Sequence, residues 1–214
     1  MKTRPQSKRP EILRAAAKLF LANGYRASSI EKIASEVGIL KGSVYYHIRS
    51  KEGLLAEVII HAVHCAERSL LKGAAIIEDA QSVQKRLESH FEYICGNYVG
   101  LAALLREAEQ LPRDFWGGIR REVENYERLL ARTLRIGQRY GVVAAGDATV
   151  LAQVMIGAAT WWCWIDREPA QQALVKVGIF RLLVPGSLDN MPVAPARIAA
   201  YSTSIDSRSR TKLL

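Results

Sequence analysis

Apolar residues along this chain recur at helical spacing almost throughout. Ile12, Ala16, Leu19 and Phe20 share one face of a first helix, with Pro10 placed in its first turn, where a missing N–H costs nothing. Asn23-Gly24 stops that helix. Ser28 and Glu31 have the spacing of a capping box, Ser28 accepting from the first turn and Glu31 reaching back. Ile30, Ile33, Ala34 and Val37 then repeat at i, i+3, i+4, i+7, and Gly38 closes the segment. A turn of about four residues leads to a third short helix over 41–48. Ser50 is the expected N-cap of a fourth helix over 51–72, with Leu55, Val58, Ile59 and Ala62 inward.

Longer helices follow. The pattern predicts one over 81–99 that continues through 101–110 after Gly100, until Leu111-Pro112 interrupts it. A charged helix is expected over 118–140, ending at Gly141. Asp147 caps an uncharged, apolar helix over 148–165, and 170–184 makes the last. No stretch alternates with the period of a strand. The chain reads as all-α, in three parts: a helix-turn-helix unit over 1–53, a helical domain over 54–184, and a flexible tail over 185–214, poor in core-forming residues.

Charge sharpens this division. The formal net charge is +9, which favours a polyanionic partner. Residues 1–53 hold eleven Lys/Arg against four Asp/Glu, a net of +7, whereas residues 54–184 hold fifteen of each. Nearly all the excess lies on the first quarter of the chain. Three cysteines, Cys65, Cys95 and Cys163, are too few for a disulfide scaffold and read as reduced thiols. No apolar segment of signal-peptide type follows the basic start. The 148–165 helix has barely the length of a membrane span and carries Thr149, Gln153, Gly157 and Thr160, so burial between helices is the better reading. The expected setting is the cytoplasm, without membrane contact.

Two short helices joined by a glycine-containing turn inside a basic three-helix unit define a helix-turn-helix. The 41–48 segment suits the major groove, which is about 12 Å wide. Val44 and Ile48 pack back, leaving Lys41, Gly42, Ser43, Tyr45, Tyr46 and His47 available to DNA. Gly42 permits close backbone approach. Hydroxyl groups suit phosphate oxygens, and Lys51 can pair with phosphate at the start of the fourth helix.

Three stretches carry a family resemblance: Phe20 to Tyr25, Ser28 to Ala34 and Val37 to Lys51. In order and spacing they resemble the N-terminal domain of the tetracycline-repressor (TetR) family, over about residues 10–58. The resemblance implies a dimeric, ligand-responsive transcriptional regulator, usually a repressor, that binds a pseudo-palindromic double-stranded operator. Carried onto this chain, it names Ser29, Lys41, Gly42, Ser43, Tyr45, Tyr46 and Lys51 as DNA contacts. Leu40 departs from the pattern, standing where a capping Ser or Thr is usual. Loss of a cap costs on the order of 1 kcal/mol, so a less ordered helix is expected without DNA. Ile48 replaces a usual aromatic.

The last two helices resemble the family's intersubunit four-helix bundle, which would supply the two-fold axis. Trp161, Trp162 and Trp164 near the end of the apolar helix cannot all face one surface, since adjacent positions differ by about 100°. Core and dimer interface account for most of them, with Trp162 assigned to a ligand pocket. Phe91, Ile94, Tyr98, Leu105, Trp116 and Tyr126 could line such a pocket. Arg106, Arg113, Arg120 and Arg121 crowd the break near Trp116, where solvated surface paired with Glu107, Glu109, Glu122 and Glu124 is the plainer state. The C-terminal segment nonetheless resembles family members that regulate lipid or sterol catabolism and respond to acyl-CoA thioesters. The resulting ligand set is Phe91, Tyr98, Arg106, Trp116, Arg120, Arg121, Tyr126 and Trp162.

Other chemistry finds little support. His61, His64 and Cys65 share a helix face but lack a fourth ligand, so no metal site is expected. Ser29-x-x-Lys32 and Ser82-x-x-Lys85 lack the accompanying motifs of penicillin-reactive enzymes. With no phosphate-cradling glycine loop or nucleophile elbow, neither enzymatic activity nor a cofactor is expected. The alternatives are a helical small-molecule carrier or a membrane-surface protein, and both leave the charge concentration unexplained.

Overall fold

The computed structural model describes residues 8–72, 79–108, 111–162 and 169–185. Among them are eight helices and no strand: α1 (Arg9–Asn23), α2 (Ile30–Val37), α3 (Lys41–Val44), α4 (Lys51–Leu71), α5 (Ala80–Ala108), α6 (Arg113–Arg139), α7 (Ala148–Trp162) and α8 (Pro169–Leu183). The all-α expectation holds. None of the described helices is long and apolar enough to cross a membrane.

Local signals set most boundaries. Gly38 takes φ +70°, a left-handed conformation that ends α2 and that a side chain would strain. The Ser50 hydroxyl accepts from the Gly53 N–H at 3.0 Å and so caps α4. Asp147 accepts from the amides of Thr149 (2.7 Å) and Val150 (3.1 Å) at the head of α7. These bonds to the ionised form hold the Asp147 carboxyl below its ordinary pKa.

Three boundaries differ from expectation. Ser29, not Ser28, caps α2, accepting from the Lys32 N–H at 3.3 Å. Ser28 is instead buried and donates toward Leu19 O (3.1 Å) and Gly24 O (2.8 Å), bracing the end of α1. The regular part of α3 stops at Val44 rather than 48, and Leu40 supplies no side-chain cap. Its continuation is a turn in which the amides of His47 and Ile48 return to Val44 O at 2.8 and 3.1 Å. Finally, α6 begins at Arg113, because Pro112 ends the preceding segment and Asp114 complements the positive helix start. Gly117 therefore lies inside α6 rather than ahead of it, and Gly118, expected as its first residue, lies in its second turn.

One core runs the length of the molecule. Ile12, Ala16, Phe20, Ile33, Val44 and Ile48 close the three-helix unit, and Phe20 meets Tyr25 edge-on at 5.3 Å. Helix α4 belongs to both halves. It packs on α1 at one end and between α5 and α6 over the rest, while α7 lies on α5 and α6. Leu70, Leu87, Ile94, Leu130, Leu134 and Met155 fill the larger half.

Candidate nucleic-acid interface

The turn-bounded α3 is held from behind. Val44 is fully buried and Ile48 nearly so, which fixes which side of the helix faces out. On that outer side Lys41 and Gly42 are exposed, and so are Tyr45 at 49% and Tyr46 at 88%. Ser43, His47 and Ser29 are half-buried. Ser29 has its hydroxyl engaged by the α2 amide, so its capping role is explicit.

Lys41 is not a free ammonium. It forms an ion pair with Glu31 in the first turn of α2, joining the supporting helix to the head of α3. That hydrogen bond is the main reason the Glu31 carboxyl falls to a pKa of about 2, and the Lys41 ammonium is raised in turn. Both side chains remain about half exposed, so the pair is weakened by solvent and open to a competing phosphate. Lys51 is placed differently. Its ammonium sits 4.2 Å from the centre of the Tyr25 ring, a cation–π contact at the start of α4. The Tyr25 hydroxyl reaches Glu52 at 3.3 Å.

Arg9 clamps this unit to α4. It donates to His47 O at 3.2 Å and to Glu57 of α4 at 2.7 Å, holding the end of the α3 turn against α4. The Lys41–Glu31 pair and this clamp lie outside the sequence-based expectations, because their partners are ten or more residues apart and meet only in the folded unit.

The residues assigned to a ligand site are not all alike in position. Phe91 is buried on α5 with its ring 5.3 Å from Phe180 of α8. Tyr126 is fully buried on α6 and faces His90 instead. Trp116 is half-buried against the core, while Arg120 and Arg121 are exposed on α6. Arg121 donates to Gly117 O at 3.3 Å. The side chains of Tyr98, Arg106 and Trp162 lie outside the described residues, as do Cys163, Trp164 and the tail from 186.

Around Tyr126 lies a polar array absent from the sequence-based expectations. His90, fully buried, has Nδ1 2.7 Å from the Ser69 hydroxyl of α4 and Nε2 2.9 Å from the Tyr126 hydroxyl. Ser69 donates to Ala66 O at 2.7 Å. A sequence signal does exist: Val83, Leu87, His90 and Ile94 form one stripe at helical spacing, with a histidine in an apolar register. On the His61, His64 and Cys65 face, Cys65 lies 3.6 Å from His61 Nε2 and accepts from Arg68 at 2.9 Å, whereas His64 turns to Glu122 at 3.1 Å.

A basic helix-turn-helix carried on a helical domain is the architecture of a bacterial DNA-binding regulator. Residues 12–58, which carry the helix-turn-helix, match the family described as bacterial regulatory proteins, tetR family. The HTH-type transcriptional repressor KstR2 of Mycolicibacterium smegmatis is 42% identical over 57 residues, 27% of this chain and 28% of that repressor. The matched part is thus little more than a quarter of KstR2. The fatty acid metabolism regulator protein of Bacillus subtilis is 25% identical over 193 residues, covering 85% of this chain and 97% of that one. Among solved structures, the TetR-family regulator PfmR of Thermus thermophilus superposes with a TM-score of 0.66 at 25% identity, covering 82% of this chain and 97% of PfmR. AibR in complex with isovaleryl coenzyme A and operator DNA gives a TM-score of 0.67 at 22% identity, covering 84% and 99%.

Proposed function

We propose that this protein is a homodimeric, non-enzymatic transcriptional repressor of the cytoplasm that leaves a pseudo-palindromic operator when a small amphipathic effector binds. Residues 1–53 form the DNA-binding unit, 54–184 the sensing and dimerising domain. The observation that carries this is the outward face of α3 and the turn that continues it, where Lys41, Tyr45 and Tyr46 stand exposed over buried Val44 and Ile48. That face crowns the part of the chain that holds +7 of its +9. Gly42, Ser43, His47, Ser29 and Lys51 complete the contact set.

Dimerisation through α7 and α8 is supported by apolar residues left exposed there: Val150 at 54%, Val154 at 48% and Leu182 at 78%. Val150, Val154 and exposed Gly157 follow one another at helical spacing along α7. The effector class we favour is the acyl-CoA thioesters, on the strength of the Bacillus subtilis regulator's name and the ligand of AibR. Transmission runs through α4, whose first turn meets Phe115 of α6: a Cβ at Gly53 would lie 3.7 Å from that ring. An effector shifts the balance only by its unequal affinity for the two arrangements.

Retardation of operator duplex against salt tests the DNA reading. Four phosphate contacts per protomer, eight per dimer, give a log–log slope of about −7. A flat response would remove the proposal. A panel of acyl-CoAs should raise the melting temperature and release the duplex together, and no response from any of them would remove that effector class.

A further inference from the structure

We propose that Leu40 is a base-reading residue that recognises a thymine through its 5-methyl group in the major groove. The inference rests on the DNA-binding reading above. Leu40 precedes Lys41 at the head of α3, with an extended backbone at φ −71°, ψ 147°. It is 80% exposed. Its neighbours Val37 and Ile39 pack against the core, whereas Leu40 is not part of that packing. Nor does its side chain satisfy an amide of the first turn, which closes through Leu40 O and the Ser43 N–H at 2.9 Å.

A leucine here therefore serves neither the core nor the helix cap, and a hydroxyl residue would serve the helix better. What it adds is an apolar side chain beside Lys41, on a helix whose opposite side is buried through Val44 and Ile48. In a helix-turn-helix the N-terminal residues of the second helix are the ones that reach base edges. Among the major-groove edges of the four bases, the thymine methyl is the apolar group. Set against guanine N7 and O6, or against the amino group of cytosine, leucine would strip water and return no hydrogen bond. Leu40 thus favours thymine and disfavours its alternatives with the same side chain.

The test uses the full chain and a duplex enriched by repeated selection from a random-sequence pool. Each thymine is replaced in turn by deoxyuridine, which removes only the methyl group. At one symmetry-related pair of thymines, uracil should weaken wild-type binding about fourfold per half-site. Leu40→Ala should bind the thymine and uracil duplexes equally at that pair, with its melting temperature unchanged because the side chain is exposed. Leu40→Met, still apolar, should keep the discrimination. If Leu40→Ala shows the wild-type uracil penalty at every position, Leu40 does not read the methyl. If the unmodified duplex is not retained even at low salt, the DNA-binding reading itself fails, a result distinct from the first.

Discussion

Between pH 6.5 and pH 4 the folded protein is expected to lose about 3 kcal/mol of stability through His90 alone. The imidazole is fully buried between α4, α5 and α6, and burial lowers its pKa from 6.5 to about 4. Desolvation is the cause, since the contacts are to neutral hydroxyls. Ser69 commits its proton to Ala66 O, so its oxygen accepts from His90 Nδ1–H. Nε2 is then bare and accepts from the Tyr126 hydroxyl. The neutral ring is satisfied on both nitrogens, and a proton on Nε2 would displace the Tyr126 donor.

The sign follows from where each state takes up its proton. Above pH 6.5 both the folded and unfolded forms carry a neutral ring, and the contribution is complete. As the pH falls below 6.5 the unfolded chain binds a proton that the folded chain refuses. Stability then drops by about 1.4 kcal/mol per unit until the folded pKa near 4 is reached. Depressed carboxylates such as Glu31, Asp79 and Asp147 add acid lability of their own, so the comparison is with His90→Gln. That variant cannot titrate. It should be less stable than wild type at pH 7, by about 1–3 kcal/mol for the disturbed hydrogen bonds. The gap should shrink by about 2–3 kcal/mol, closing or reversing, in urea melts at pH 4.5. A gap that stays constant with pH would show that His90 is not held neutral by the fold.

This buried histidine also marks the limit of what the chain discloses before folding. Features written within four or five residues are legible: Gly24 and Gly38 as helix stops, Ser50 and Asp147 as caps, the apolar stripe of α2. So is the basic unit, because charge needs only counting along the chain. The cap of α2 falls one residue away from the expected position, since Ser28 and Ser29 are equivalent locally. What separates them is that Ser28 is drawn inward to the carbonyls of Leu19 and Gly24. Lys41 is legible as a basic residue on the second helix of the helix-turn-helix, but not as the partner of Glu31, which comes from a different helix. Lys51 on the Tyr25 ring and Arg9 on His47 O are of the same kind. Contacts between elements depend on packing angles that no local spacing encodes.

Replacement of Gly137 by alanine should destabilise the protein by about 2 kcal/mol and loosen the proposed dimer with it. Gly137 is buried in the last turns of α6, where the chain reverses toward α7. A Cβ there would lie 2.4 Å from Val143 Cγ2 and 3.3 Å from Val143 Cβ. Neither atom can swing aside, because valine branches at Cβ and the Val142 and Val143 amides are both tied to Gly137 O, at 3.0 and 3.4 Å. With a contact as close as 2.4 Å the overpacking cost falls at the upper end of its usual range, about 3 kcal/mol, offset by the roughly 1 kcal/mol that alanine gains over glycine in a helix. For a chain of this length a net loss of about 2 kcal/mol lowers Tm by about 4–8 °C. Gly117→Ala is the counterpart on the same helix. Its site is exposed and has nothing within 4 Å of the added carbon, so it should gain about 0.5–1 kcal/mol. The consequence for assembly comes through Ala144, whose amide donates to Leu183 O at 3.0 Å and so ties the same reversal to the end of α8. A shift at Val143 moves the loop that seats α7 and α8 together, the two helices proposed to carry the two-fold axis. Faster subunit exchange in Gly137→Ala, alongside wild-type exchange in Gly117→Ala, would connect this reversal to the dimer. A Gly137→Ala protein with unchanged Tm would show that the Val143 loop yields freely and does not set the position of α7.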